Sequence, residues 1–291
     1  MARIHAFTVD VEEYFQVAAF ESHVSRGQWE TLPLRVEANT RRILELLARH
    51  EIQATFFVLG WVAQRFPGLI REIVSAGHEL ASHGMAHVRV TGQTPQAFLQ
   101  DARTSRELLE QTAGVAVTGY RASTYSIGSA NLWAFDVLAA AGYRYSSSVY
   151  PIRHDLYGWP GASREPFWPS GVTGEGVVEI PVATLQVGGR RFPCGGGGFF
   201  RLYPYAFSRW AWQRLNRREG FSGVFYCHPW EVDPGQPRIS GIGWKSRFRH
   251  YLNLRRMEGR LDALLRDFSW GRMDQVFAGV IDSRSLGQEN S

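Results

Sequence analysis

Short apolar runs alternate along this chain with longer amphipathic stretches, a rhythm that predicts strands followed by helices. Residues 4–9 are the first strand-sized run. Residues 36–50 set Ile43, Leu44, Leu46 and Leu47 along one side of a helix, and residues 54–59 read as a buried strand. A helix over 67–76 turns Ile70, Ile73 and Val74 inward and stops at Gly77, where a left-handed residue would close it. The units repeat with a strand at 78–82, a helix from Thr94 and Pro95 to Gly114, a strand at 117–120, a helix at 129–141 closed by Gly142, and a strand at 143–145. Thr94 offers a capping hydroxyl, and Pro95 suits the first helical position. Four to five such units in succession predict an α/β fold and not a sandwich, with a parallel barrel favoured and an open parallel sheet as the alternative.

The rhythm loosens at residues 150–200, which are rich in Gly, Pro and aromatic side chains and contain one convincing strand, 177–183. A long insertion or a set of rim loops is expected there. The four glycines at 195–198 have no following Gly-Lys-Ser, so a phosphate-cradling loop is excluded. A substrate-side loop and a plain flexible loop remain. Regularity returns with a helix at 204–217, a strand at 223–227 and one basic helix over 245–266, and residues 283–291 read as a polar tail.

With 291 residues, 44% of them hydrophobic, the chain can bury a full core. No apolar stretch approaches the ~20 residues of a bilayer span. No basic segment followed by an apolar one opens the chain, so the expected location is the cytoplasm, including the face of the inner membrane. Cys194 and Cys227 have no partner at metal-site spacing and read as two free thiols. The net charge of +5 is concentrated at Arg247, Arg249, Arg255, Arg256, Arg260 and Arg266. Glu258, Asp262 and Asp267 are interleaved with these arginines, which favours a solvated helix face laced with i,i+4 pairs over an anion-binding surface. No nucleic-acid motif is present.

The chemistry-bearing residues follow the apolar runs: Asp10 and Glu12 after 4–9, His83 and His87 after 78–81, Arg121 after 117–120, three serines at 146–148, and His228 after 224–227. Strands that deliver such groups at their ends share one active-site rim in a parallel barrel. His83 and His87 are spaced i,i+4, which a helical turn would place on one face at metal-binding separation. Gly84 stands where a zinc protease of the His-Glu-x-x-His type carries its base, so that class is excluded. Asp10 and Glu12, two apart, project to one side of an extended strand, and burying both demands a cation or donors. One carboxylate and two imidazoles leave open positions on a zinc-like ion.

These residues resemble the polysaccharide deacetylases of carbohydrate esterase family four, the nodulation-factor deacetylase homology group. The branch found beside exosortase and exopolysaccharide gene clusters is the most similar. The likeness covers about residues 4–232 and, for the branch, the glycine run and the basic C-terminal segment. The family's Thr-Phe-Asp-Asp is matched by Thr8, Val9, Asp10 and Val11, which implies Asp10 as catalytic base. Val11 stands where a ligand aspartate belongs, so Glu12 is the implied replacement and Glu13 the alternative. His-Ser/Thr-x-x-His is matched from His83 to His87 with glycine for the hydroxyl residue, which implies both histidines as ligands. Arg-x-Pro-aromatic is matched from Arg121 with Ser123 for proline and Tyr125 one place late. Arg121 then partners Asp10, and the oxyanion amide lies at Thr124 or Tyr125. His228 is the implied general acid, oriented by Asp155, Glu165, Glu179 or Glu231, and Trp230 is the implied groove wall. Trp159, Trp168 and Trp244 are further groove candidates.

What the resemblance implies is a distorted (β/α) barrel of seven strands with long rim loops. It forms a single domain over 1–282, with a catalytic core at 4–232, an insertion at 150–200 and a basic helical extension at 245–267. The activity implied is removal of N-acetyl groups from amino sugars of a glycan or its lipid-linked precursor. One divalent ion takes part, zinc first, with cobalt, nickel and iron as alternatives. Two rivals stand beside it: a metal amidohydrolase acting on a cyclic imide or ureide, and a catalytically inactive carbohydrate-binding homologue.

Overall fold

The structure, a computed structural model, describes residues 3–169 and 176–283. Its centre is β1, Ile4–Val11, a strand buried from His5 onward. Burial on both faces is what a parallel sheet sandwiched by helices requires. The apolar runs become β2 (Thr55–Val58), β3 (Glu79–Ser82), β4 (Gly119–Tyr120), β5 (Tyr145–Ser146) and β6 (Val178–Glu179). A hairpin follows, β7 (Thr184–Val187) and β8 (Arg190–Pro193), and then β9 (Val224–Cys227) and β10 (Ser269–Gly271). Eight strands make one sheet: seven run in the order β10-β1-β2-β3-β4-β5-β6, and β9 also pairs with β1. Every pairing in it is parallel. The expected parallel α/β architecture is therefore the one the chain adopts.

Register fixes which residues reach the rim. Asp10 pairs with Phe57, Val58 with Ser82, Ser82 with Tyr120, and Tyr120 with Ser146. The residues just beyond each of these positions emerge at one end of the sheet. The open side between β6 and β9 is bridged by backbone: Ala183 N–H donates to Val224 O at 3.1 Å, and Tyr226 N–H donates to Gly195 O at 2.7 Å. The latter contact explains the glycine run. Gly196 has φ +126°, and a Cβ there would lie 1.9 Å from Tyr226 O. The run is thus neither a flexible loop nor a P-loop. Gly195 to Gly197 are buried against β9, and the run continues into the helix Gly197–Leu202 with Gly198 exposed.

Helices close both faces of the sheet. Val36–Arg49 buries Ile43, Leu46 and Leu47, and Pro95–Ala113 is capped by Thr94 Oγ1 accepting from Ala97 N–H at 3.2 Å, with Gly114 in the left-handed conformation behind it. Three features depart from the sequence-based expectation. The insertion contains the hairpin β7–β8, turned by Gly188 and Gly189 with φ +54° and +75°, the two positive-φ residues that a tight hairpin needs. The single basic helix expected over 245–266 is two helices, Trp244–Tyr251 and Leu254–Asp267. Asn253, at φ +55°, breaks it and donates its side-chain amide to Arg201 O at 2.8 Å. Glu258 and Asp267 reach across to Arg42 and Arg209 instead of pairing within the helix, while Arg266 and Asp262 keep the i,i+4 pairing. Of the polar tail expected at 283–291, all but Ser283 lies outside the described residues. Both cysteines are free and buried.

Glu179 on β6 shows how the interior treats acids. Its Oε1 accepts from Ser148 N–H and Val149 N–H at 2.9 and 2.8 Å, whereas Oε2 has no partner. Burial pushes this carboxyl up to about 7. Between the unfolded value of ~4.5 and 7 the folded chain holds a proton that the unfolded chain has lost, so this group's contribution to stability falls as pH rises through that window. Glu179→Gln keeps the accepting oxygen and removes the titration. Denaturant unfolding at pH 5 and pH 8 is expected to cost wild type about 3 kcal/mol more than the variant across the interval.

Candidate active site

The five polar clusters meet at the rim. Arg121, fully buried, leaves β4 and reaches across the sheet. Its Nη1 donates to Asp10 Oδ1 at 2.6 Å and Thr8 Oγ1 at 2.7 Å, and its Nε and Nη2 donate to Ser147 O and Oγ, each at 3.0 Å. The guanidinium lies 4.0 Å from the centre of the Phe57 ring. A single planar cation thus ties the ends of β1, β4 and β5. Burial works against its charge, but the adjoining Asp10 carboxylate raises its pKa further.

The two histidines do not sit on a helical turn. They lie in the irregular loop after β3, with Gly84 at φ +78° and His87 at φ +52°. A Cβ on Gly84 would fall 2.9 Å from Asp101 Oδ2, which gives a local reason for glycine where a hydroxyl residue was expected. Gly84 O and Met85 O accept from Gly60 N–H and Trp61 N–H, the start of the helix Gly60–Arg65, at 2.9 and 2.8 Å. Met85 N–H donates to Asp101 at 3.3 Å. Backbone anchoring, not helical periodicity, therefore brings the rings to a centroid separation of 5.4 Å. His83 Nδ1 is 2.8 Å from Arg121 O. A proton donated there leaves Nε2 as a lone pair directed into the site. Burial lowers the His83 pKa to about 4, so the ring is neutral, as a ligand must be.

Glu12 completes this group. Its Oε1 accepts the indole N–H of Trp230 at 3.1 Å, and its Oε2 lies 2.8 Å from His87 Nε2 and 4.0 Å from His83 Nε2 with no hydrogen bond of its own. Ligand atoms of Glu12, His83 and His87 all fall within 4.8 Å of one another, and all three residues are buried. A buried carboxylate oxygen without a donor, facing two imidazole nitrogens, fits a divalent cation. Glu13, the alternative third ligand, turns away: its Oε1 accepts from Arg35 N–H and Val36 N–H at 2.6 and 2.9 Å and caps the helix Val36–Arg49. Val11 pairs with Val58 in the sheet and is fully buried in the core.

His228 follows β9. Its Nε2 lies 4.0 Å from Asp10 Oδ2 and 3.7 Å from Glu12 Oε1, and its Nδ1 lies 3.2 Å from Glu231 Oε2. Burial alone would lower its pKa, yet Glu12, Glu231 and Asp10 outweigh burial and raise it to about 9. Of the four acids considered as its partner, Glu231 is the one that touches it. Glu179 binds backbone beyond β5, Asp155 pairs with Lys245 and Arg249 on the surface, and Glu165 is exposed. Glu231 is itself held by Arg201, whose Nε donates to Oε1 at 2.6 Å. Although burial opposes it, Arg201 with His228 brings the Glu231 carboxyl down to about 2.

A cavity of about 750 Å³ opens above these groups. Asp10, Glu12, His83, His87, Thr124, Tyr125, His228 and Trp230 are among the residues that line it. Trp230 is 5% exposed and stacked between His228 and His250, at 5.0 and 4.2 Å between ring centres. Trp244 stands on the cavity's rim, whereas Trp159 and Trp168 pack against core clusters away from it. Thr124 and Tyr125 both have positive φ, and the Tyr125 amide donates to Ala122 O at 3.0 Å. Arg201 escaped the sequence reading. Its one signal was a lone charge in the otherwise apolar and aromatic run at 199–203.

Residues 28–146 match the family profile of polysaccharide deacetylases, and residues 147–278 match that of a domain of unknown function, DUF3473. The first of these segments is therefore similar to the polysaccharide deacetylases. His83, His87 and Arg121 fall inside that deacetylase match, Asp10 and Glu12 precede it, and Arg201, His228, Trp230 and Glu231 belong to the second match. The site is therefore assembled across both. The chain is 31% identical over 111 residues to a chitooligosaccharide deacetylase of Bradyrhizobium sp. (strain ANU 289), covering 38% of this chain and 48% of that protein. It is 36% identical over 74 residues to the peptidoglycan-N-acetylglucosamine deacetylase PgdA of Listeria monocytogenes, covering 25% and 16%. The matches thus span about half or less of these curated relatives. Over nearly the whole chain the fold is shared with a Mycobacterium smegmatis protein classed as a polysaccharide deacetylase (TM-score 0.64, 20% identity, 99% and 91% covered). It is also shared with the Puue allantoinase (TM-score 0.61, 16% identity, 94% and 89% covered).

The hydrogen bond from Trp230 to Glu12 gives a direct test of the cation site. Trp230→Phe keeps the ring and removes the donor, and is expected to weaken divalent-metal binding by about 10- to 100-fold in calorimetric titration. Glu12→Gln should abolish stoichiometric binding, and Glu13→Gln should leave it intact. Equal losses in the two glutamine variants would contradict this ligand set.

Proposed function

We propose that the chain is a metal-dependent hydrolase that removes N-acetyl groups from amino sugars of a polysaccharide or its precursor, and that it belongs to the exosortase and exopolysaccharide-associated branch. The observation that carries this reading is the convergence of Glu12, His83 and His87 with Asp10 and His228 on one cavity floor. The deacetylase match over 28–146 and the names of the curated relatives support the substrate class.

Glu12, His83 and His87 would hold one divalent ion, zinc first, whose chemistry is to polarise the amide carbonyl and to make water more acidic. Asp10 is the base. Arg121 grips its Oδ1, which leaves Oδ2, 4.0 Å from His228 Nε2, to take the proton of the attacking water. His228 is the acid. Glu231 holds its Nδ1 side, so the proton on Nε2 faces the cavity and passes to the sugar nitrogen as the carbon–nitrogen bond breaks. With the Tyr125 amide engaged by Ala122, the Thr124 amide is the donor for the oxyanion. Trp230 serves first to hold Glu12 and only at its edge as cavity wall. A cavity of about 750 Å³ is larger than the small closed pocket that a cyclic imide or ureide calls for.

Acetate release from N-acetylglucosamine oligomers tests the assignment. Wild type is expected to turn over with metal, lose activity on chelation and regain it on reloading. Asp10→Asn should lower kcat by about 100-fold or more with metal content unchanged. Turnover by Asp10→Asn at the wild-type rate would sink the assigned base. Metal-loaded wild type that releases no acetate would favour an inactive binding protein.

A further inference from the structure

Nine large apolar side chains are exposed among the described residues, and four of them, Leu156, Leu202, Trp244 and Phe248, gather at the mouth of the active-site cavity. Such clustering is not how stray surface apolar groups distribute. Trp244 is 81% exposed and Phe248 51%, and they stand one turn apart on the helix Trp244–Tyr251, hence on one face. That helix also carries Lys245, Arg247 and Arg249 and no acidic residue. Asp155 accepts from Lys245 at 2.9 Å and from Arg249 at 3.0 Å, which clamps the loop bearing Leu156 against the helix. Arg153 adds a further cation to the lining. Among the described residues that line the cavity, Asp155 is the one acid at this mouth, because Asp10 and Glu12 are buried at the floor.

Aromatic faces alone would suit sugar rings, but Leu156 and Leu202 are aliphatic and offer no such stacking. Exposed tryptophan, phenylalanine and leucine flanked by lysine and arginine have the composition of a surface that enters the headgroup boundary of a bilayer. We propose that the cavity mouth docks on an anionic phospholipid bilayer through Trp244, Phe248, Leu156 and Leu202, with Arg247, Arg153 and their neighbours facing the headgroups. The site then opens onto the membrane plane, and the amino sugar it receives is one carried at that surface. This last step rests on the deacetylase reading, whereas the docking does not.

Vesicle co-sedimentation of the full chain, without substrate, separates the two. Wild type is expected to bind vesicles of phosphatidylcholine containing about one third phosphatidylglycerol, to bind pure phosphatidylcholine weakly, and to dissociate as salt rises. Trp244→Ala with Phe248→Ala, and separately Arg247→Glu, should each weaken binding by about tenfold or more. Val115→Ser, at an exposed apolar position in the loop that enters β4 from the opposite end of the sheet, should not. Equal binding of wild type to both vesicle types, or undiminished binding by the Trp244/Phe248 variant, would overturn the docking surface. A dimer in solution that this variant converts to monomer, with no vesicle binding, would assign the patch to a second copy and overturn it equally. None of these readouts depends on acetate release.

Discussion

A guanidinium with no exposure to solvent governs the rim. Removing a cation from water is costly unless its hydrogen bonds are all met, and a buried cation left without its partner is costlier still. Arg121 meets the demand by reaching from the end of β4 to two others: Thr8 and Asp10 on β1, and Ser147 beyond β5. Its carbonyl then receives His83. The arginine that grips Asp10, the proposed base, thus also fixes His83, a proposed ligand, through its main chain, and the two halves of the proposed chemistry share one anchor. Ser147 and Ser148, which look unremarkable as a serine run, are where that anchor and the Ala122 amide find acceptors.

Around this anchor the site sorts its ionisable groups by what each can see. Glu12 gives one oxygen to an indole and the other to two imidazoles. His83 is buried with its outer nitrogen committed to a carbonyl and stays neutral, while His228 is surrounded by acids and holds its proton. Two imidazoles on one cavity floor are set to opposite charge states, His83 by burial and His228 by the acids that outweigh burial. Arg201 and Glu231 extend the arrangement outward, and Arg201 also donates to His250 O and Leu252 O. The break between the two C-terminal helices therefore serves the acid, because carbonyls released at a helix end are free to accept from Arg201.

The strand–helix rhythm and the polar residue after each strand were legible because both arise from local constraints, the period of burial and the end of a parallel strand. The choice of Glu12 over Glu13 was not, since it depends on which way two adjacent carboxylates turn where β1 ends, and only the waiting amides of Arg35 and Val36 decide that. The histidine loop misled by spacing: four residues apart suggests a helical turn, yet two left-handed residues achieve the same convergence. The hairpin β7–β8 carried a Gly-Gly turn signal at 188–189, but only its first flank alternates; the second, Arg190–Pro193, lacks the pattern that marks a strand. Trp230 was legible as a cavity residue, but its bond to Glu12 was not, nor was that of Arg201 to Glu231, because those partners lie 218 and 30 residues away.

The boundary between the two matched segments falls between Ser146 and Ser147, inside the contact that Arg121 makes with β5 and the residues after it. The proposed base and ligands come from one side of that boundary, the proposed proton donor from the other, and β9 pairs with β1 across it. Neither segment is a cassette that could be exchanged for a foreign counterpart. A cut at the seam would strand a charged arginine with half its acceptors and leave the central strand with a bare edge.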